Sequence, residues 1–413
     1  MRLNDEEKAM LAGEAGSPRR WAIAHQLAVG HFFDAEDLVP VSQAHIMGDT
    51  ESLGEAGIAF LEGLAAAPRD QRRVRIPTIT DPRGLDFSSY ARLKQTDAMA
   101  ALEKRTSDAL EAIGVLMTNT CINYQTVFPP VLGEHLAMGD TGVVIYSNSV
   151  MGARSNFEGG PSAVAAALTG RTPRYGYHLD SGRRGTKRIV VRDRPRDWSE
   201  WGALGGIVGS IAGSYWEVPV LEGIDGAPTS DELKHFGAAL ASFGSVALFH
   251  MEGVTPECRK AHEVFDGPPP VPAIVTRADL DAFRARYAAP GEKVDVVVFA
   301  APQLSLFELE EIAALVGGRR VHRDTALLIA TSPENKAAAD RMGLTARIEA
   351  SGALLLSGVC FYQSYAREIA EANGWKRLMS NSAKLVNIIG GYGYLPSLGT
   401  TEQCIDAAVA GRM

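Results

Sequence analysis

Cysteine is scarce in this chain: four residues in 413, Cys121, Cys258, Cys360 and Cys404. They lie far apart with no CxxC pair, which excludes a zinc ribbon. In a reducing compartment structural disulfides are not expected, and for any one of these thiols a buried, inert side chain is the baseline reading. Positive charge is also short, with 41 Lys and Arg against 49 Asp and Glu and a net charge of −8. No basic domain or Lys/Arg stripe offsets it, which argues against nucleic acid as a partner. The uncharged run at 202–216 is broken by glycine and is about a quarter too short for a membrane span; packing of helices through small residues explains it better. The first residues are acidic and amphipathic with no apolar leader core, so a cytoplasmic location is expected. A chain this long exceeds one simple core, and two or three lobes are expected.

What the sequence does have is a long organised stretch from Gly133 to Thr172. Glu134-His135 precede an apolar, β-branched run, Val143 to Tyr146, which reads as a buried strand. A polar turn follows with Ser147, Asn148 and Ser149, then Arg154, Ser155 and Asn156, then Glu158-Gly159-Gly160-Pro161. A helix over 162–168 closes the unit. Strand, glycine-rich loop and helix N-terminus together make an anion site, because unpaired N–H groups and the positive dipole end point at the ligand. Arg154 could grip a carboxylate in two places. The bland alternative is a tight connection with a surface arginine.

Around this stretch, Asn4 caps a helix over 5–12, and helical spacing returns over 53–64 and 90–113. The segment 175–196 reads as a twisted hairpin whose Arg183, Arg184, Lys187 and Arg188 form a basic patch. From Asp231 onward helices and strands alternate: helix 231–243, strand 246–249, helix 277–287, strand 294–299, helix 306–316, strand 326–330 and strand 353–356. This is the signature of a doubly wound, mostly parallel α/β sheet. Ligands in such folds bind outside the carboxyl ends of the strands. The loops there carry Gly, Pro, Ser, Thr and Asn, with Cys360 after one strand and Ser382 and Lys384 after the last.

These residues carry a resemblance. The segment from Gly133 to Thr172, the Thr118–Cys121 loop, Gly253–Glu257, Ser380–Lys384 and the terminal Cys404–Val409 are together similar to the large, catalytic subunit of the aconitase X family. The resemblance implies an aconitase-like, multi-lobed catalytic core, divided here into an N-terminal catalytic lobe over 1–225 and a C-terminal α/β lobe over 226–413. It implies a hydro-lyase that removes water from a small hydroxy acid with an iron–sulfur cluster, either 2Fe-2S, 3Fe-4S or 4Fe-4S. Characterised members act on cis-3-hydroxy-L-proline or on mevalonate 5-phosphate. It also implies a swivelling domain with a serine base, expected here as a separate small subunit. Cys121, Cys360 and Cys404 match cysteine positions of the family and are the expected metal ligands, since thiolates suit such clusters and three of them leave one iron open. Asn148, Ser149, Arg154, Ser155, Asn156 and Ser382 are expected to hold the substrate. His135 and Lys384 are expected to polarise the leaving group or pair with charge, against a structural hydrogen bond for His135 and a surface position for Lys384.

Three departures from the family pattern stand out. Ala300-Ala301-Pro302-Gln303 replaces Gly-Cys-Pro-His, losing a thiol and an imidazole; either Cys258 substitutes or the cluster is altered or absent. Phe157 replaces an arginine, which changes the substrate preference. Gly358-Val359-Cys360 replaces Asp-Thr-Cys. The leading expectation is a dehydratase of cis-3-hydroxy-L-proline or an analogue. Alternatives are a mevalonate 5-phosphate dehydratase, a metal-free racemase or isomerase using Cys360 or Cys258, and a non-catalytic binding or structural subunit.

Overall fold

The computed structural model describes residues 1–413. The N-terminal part contributes β1 (Leu38–Pro40), β2 (Ala44–Ile46), β3 (Thr78–Thr80), β4 (Ala137–Met138) and β5 (Arg171–Pro173). Of these, β3, β2 and β4 form a parallel three-stranded sheet in that order, while β1 and β5 pair antiparallel beside it. A second parallel sheet contains β6 (Lys187–Val191), β7 (Pro219–Glu222), β8 (His250–Met251) and β9 (Ala273–Val275), ordered β8-β7-β6-β9. The third contains β10 (Val296–Leu304), β11 (Ala326–Thr331), β12 (Leu354–Ser357), β13 (Arg377–Ser380) and β14 (Leu395–Leu398), ordered β12-β11-β10-β13-β14 and parallel throughout. Three parallel sheets flanked by helices make this an α/β fold with several layers. The expected division after residue 225 falls inside the middle sheet, between β7 and β8.

The alternating pattern of the C-terminal half is present almost as the periodicity predicts. The helix over Leu306–Val316 is closed at its start by a capping box between Ser305 and Glu308. The strand expected at 246–249 is instead a buried extended segment. Its main chain is used by side chains of a helix: Phe249 N–H donates to Ser149 Oγ and the Ala247 carbonyl accepts from Asn148.

Two further expectations are corrected. Val143–Tyr146 is not a strand but the middle of a helix, Thr141–Ser149, capped by Asp140, whose carboxylate accepts from the N–H groups of Gly142 and Val143. Eight residues of this helix are buried, and periodicity cannot separate a fully buried helix from a buried strand. The segment 175–196 is not a hairpin. It is two single 3-10 turns, Gly176–His178 and Asp180–Arg183, followed by β6 in a parallel sheet. Its basic patch is neutralised within the fold by Glu257, Asp266, Glu217 and Glu222.

The uncharged run lies largely within the helix Trp198–Ala212, which packs against Ser230–Gly244. A Cβ at Gly205 would collide with the Phe236 carbonyl, so glycine is what lets the two backbones approach. No helix is long and apolar enough to cross a membrane.

Candidate active site

The first and third sheets meet with their carboxyl ends together. Arg83, just after β3, bridges to Val359, just after β12, and its N–H donates to the Gly358 carbonyl over 3.0 Å. Gly358 has φ +70 and Asn119 packs against the face where a Cβ would sit, so the chain turns sharply there and delivers Cys360 inward. From the other sheet the Asn119–Cys121 loop delivers Cys121. The two thiols are neighbours, close enough for Cys360 to weigh on the Cys121 proton.

Gln303, at the irregular end of β10, holds both loops. Its Oε1 accepts from Cys121 N–H at 3.3 Å. Its Nε2 donates to the carbonyls of Asn119 (3.1 Å) and Val359 (3.2 Å). Its own N–H reaches Cys121 Sγ at 3.5 Å, and its carbonyl accepts from Lys234 Nζ at 3.2 Å. Lys234 is itself buried between Glu308 and Asp231.

Acid–base groups surround the thiols. Asp81 follows β3 and Asp140 follows β4, while His45 lies within β2; all three are buried. Asp81 Oδ2 accepts from Gln363 at 2.9 Å, its Oδ1 lies 3.6 Å from His45 Nε2, and that Oδ1 has no hydrogen-bond partner. His45 Nε2–H donates to the Thr120 carbonyl at 3.0 Å and leaves Nδ1 without a partner. Lys384, at the start of the helix Ala383–Ile389 after β13, places Nζ 3.7 Å from Asp140 Oδ1 and 5.6 Å from the centre of the Tyr362 ring.

Burial, reinforced by Asp140, raises Asp81 well above the carboxylate range and keeps it protonated. The neighbouring Cys360 thiol, then burial, pushes the Cys121 thiol well up. Burial pulls Lys384 down, but Asp140, the two thiols and Asp81 together outweigh it and hold the ammonium above its ordinary range. The centre therefore stores protons on Asp81, Cys121 and Lys384.

Several expected site residues lie elsewhere. Cys404 is corrected: it sits on the helix Thr401–Ala410 in the apolar core of the C-terminal sheet, among Val294, Val297 and Ile405, because that helix turns its apolar face onto the sheet. Cys258 occupies a third, small core with Val220 and Phe265. The residues of the expected carboxylate cradle have their polar atoms engaged within the fold. Asn148 bonds Ser155 through both ends of its amide, Ser149 takes Phe249 N–H, and Asn156 bridges Tyr175 and Tyr177. Ser155 Oγ binds the Asn156 carbonyl. Arg154 is taken by Asp180 and the His178 carbonyl. Ser382 caps its helix and donates to the Ala301 carbonyl at 2.6 Å. His135 pairs with His178 through their Nδ1 atoms at 2.9 Å, apart from the thiols. Of the expected residues, Cys121, Cys360 and Lys384 come together. Sequence reasoning missed Asp81, Asp140, His45 and Tyr362; the signal for the two acids was their place immediately beyond short strands.

The donor set tests the fit of an iron–sulfur cluster. A cluster with three thiolate ligands does not fit these residues: two thiols converge, Ala301 packs in the same apolar cluster as Cys360, and no three His, Cys, Asp or Glu side chains gather closely enough to hold a metal ion. A cavity of about 730 Å³ opens between Arg196, Thr229, Phe307 and Thr400, and its lining includes Asp231, the partner of Lys234.

Models of the three aconitase X domains match the chain in order: the first domain over 1–181, the second over 185–285 and the third over 294–410. The chain belongs to the aconitase X family. Its relatives are dehydratases, and the class of enzyme is hydro-lyase. This aconitase X chain is 35% identical to the phosphomevalonate dehydratase large subunit of Methanosarcina mazei, over 100% of this chain and 98% of that one. It is 33% identical to the cis-3-hydroxy-L-proline dehydratase of Pseudomonas aeruginosa, over 100% of this chain and 70% of the relative. The holo-form crystal structure of Thermococcus kodakaraensis aconitase X superposes with a TM-score of 0.89 at 30% identity, covering 99% of this chain and all of that one.

Proposed function

We propose that this chain is the large subunit of a dehydratase acting on a small hydroxy acid, cis-3-hydroxy-L-proline or a close analogue, together with a separate small subunit. The observation that supports this reading best is the buried group of Cys121, Cys360, Asp140 and Lys384 at the joined carboxyl ends of two parallel sheets. Elimination of water needs a base for the α-proton and an acid for the departing hydroxyl. The Lys384 ammonium, held by Asp140, is the acid: its proton goes to the leaving oxygen as the C–O bond breaks. The α C–H electrons become the new C=C bond, and the base, supplied by the small subunit, keeps the α-proton until it is returned to Lys384. From 3-hydroxyproline the product is an enamine that tautomerises to a cyclic imine. The phosphomevalonate dehydratase relatives are named large subunits, which supports a separate second chain.

A second reading, dehydration of phosphomevalonate, is favoured by the identity and matching length of the Methanosarcina protein. Against it, the cation within the buried group, Lys384, already faces Asp140, which leaves a phosphate short of partners there. The test is turnover by the chain co-expressed with the neighbouring small reading frame. Loss of one water from cis-3-hydroxy-L-proline, with kcat/KM at least ~10-fold above that for phosphomevalonate, supports the first reading. The reverse order supports the second, and full activity from this chain alone refutes the separate subunit.

A further inference from the structure

The centre is organised by an amide, and its donor count is the starting point. Gln303 is fully buried, and each polar atom of its side chain is used. One acceptor takes Cys121 N–H, and the two amide hydrogens go to the carbonyls of Asn119 and Val359, which belong to the two loops carrying the thiols. Its main chain adds an N–H to Cys121 Sγ and a carbonyl to Lys234, itself locked by Glu308 and Asp231. Cys121 thus already has Gln303 N–H as a partner and the Cys360 thiol as a neighbour. The methyl of Ala301 lies in the apolar cluster around Cys360, and the remaining cysteines are in other cores.

We propose that this centre assembles without an iron–sulfur cluster, Gln303 acting as a bracket that holds the Cys121 and Cys360 loops together in the role a cluster's three ligands would play. Two protein thiolates leave a cluster short of its third anchor, and the bracket removes the structural need for one. The inference concerns the same centre as the proposed function, yet it stands whichever hydroxy acid is the substrate, because iron is counted without turnover.

The test uses the full chain, purified without oxygen and incubated with ferrous iron, sulfide and thiol reductant. Iron, acid-labile sulfide and visible absorbance are then measured after desalting. Background iron is expected for the natural chain, and at least ~10-fold more, with charge-transfer absorbance, for Ala301→Cys, which restores a third thiol. Stoichiometric iron and sulfide in the natural chain would overturn the proposal. The bracket is tested separately by native alkylation and mass spectrometry. In Gln303→Ala, labelling of Cys121 and Cys360 is expected to rise at least ~10-fold while Cys404, buried in another core, stays protected. No rise at the two centre thiols, or a rise matched at Cys404, would overturn it.

Discussion

Two regions of this chain compete for the chemistry, and they differ in how their polar atoms are spent. The glycine-rich stretch from Gly133 to Thr172 has the longer motif, yet Asn148, Ser149, Arg154, Ser155 and Asn156 all point to partners inside the fold. At the junction of the sheets, residues from separate loops meet, and there the atoms left without partners, Asp81 Oδ1 and His45 Nδ1, belong to titratable groups, whereas in the glycine-rich stretch they are Ser147 Oγ and Arg171 Nε. Buried polar atoms without partners are costly, so they mark places kept for something other than stability. A long local motif reports how tightly a segment is built, whereas chemistry here comes from distant residues brought together.

The sharpest contrast between the regions is expected from Lys384→Met. Turnover should fall by roughly 10³-fold, about 4 kcal/mol in barrier, while the circular dichroism spectrum is unchanged, because Asp140 keeps its N–H partners at the helix start. Turnover within twofold of the natural chain would move the acid elsewhere. Asn148→Ala should do the opposite. It removes the side chain that satisfies Ser155 and the Ala247 carbonyl, and urea unfolding should show a loss of about 3 kcal/mol.

Glu158, in the glycine-rich stretch, sharpens the comparison through pH. Burial raises its carboxyl to about 7, against a hydrogen bond from Thr172 that lowers it. A folded-state value above the unfolded one means that the folded chain holds the proton more tightly. The resulting stability is complete below about pH 4.5 and is lost as pH rises through about 7, a swing of about 3 kcal/mol. Glu158→Gln should flatten that part of the pH–stability curve, and an unaltered slope would show that Glu158 is not its source. The smallest effect is expected from Arg154→Ala. Its partner Asp180 is largely exposed, so stability should change by less than ~1 kcal/mol and KM by less than about threefold. A hundredfold rise in KM would return the glycine-rich stretch to the substrate.

The parallel sheet of the C-terminal half was legible because short β-branched runs alternate with capped amphipathic helices, as at Ser305–Val316. Cys360 was legible through its position beyond a strand of that sheet, and Lys384 through the family resemblance. The helix at Thr141–Ser149 was not, because burial on every side erases the apolar face that would reveal it. Asp81 and Asp140 escaped notice because each follows a strand of two or three residues, too short to show alternation. Cys404 was misplaced because its family match carried no information about which way its helix faces.

The most direct test of the two-thiol centre is the turnover of Cys360→Ala, measured with the small subunit present and with melting temperature recorded alongside. The thiol-centre assignment, in which Cys360 stands against Cys121 and beside the Lys384 acid, predicts a loss of at least ~10-fold with the melting temperature lowered by no more than a few degrees. Turnover within twofold of the natural chain would contradict it.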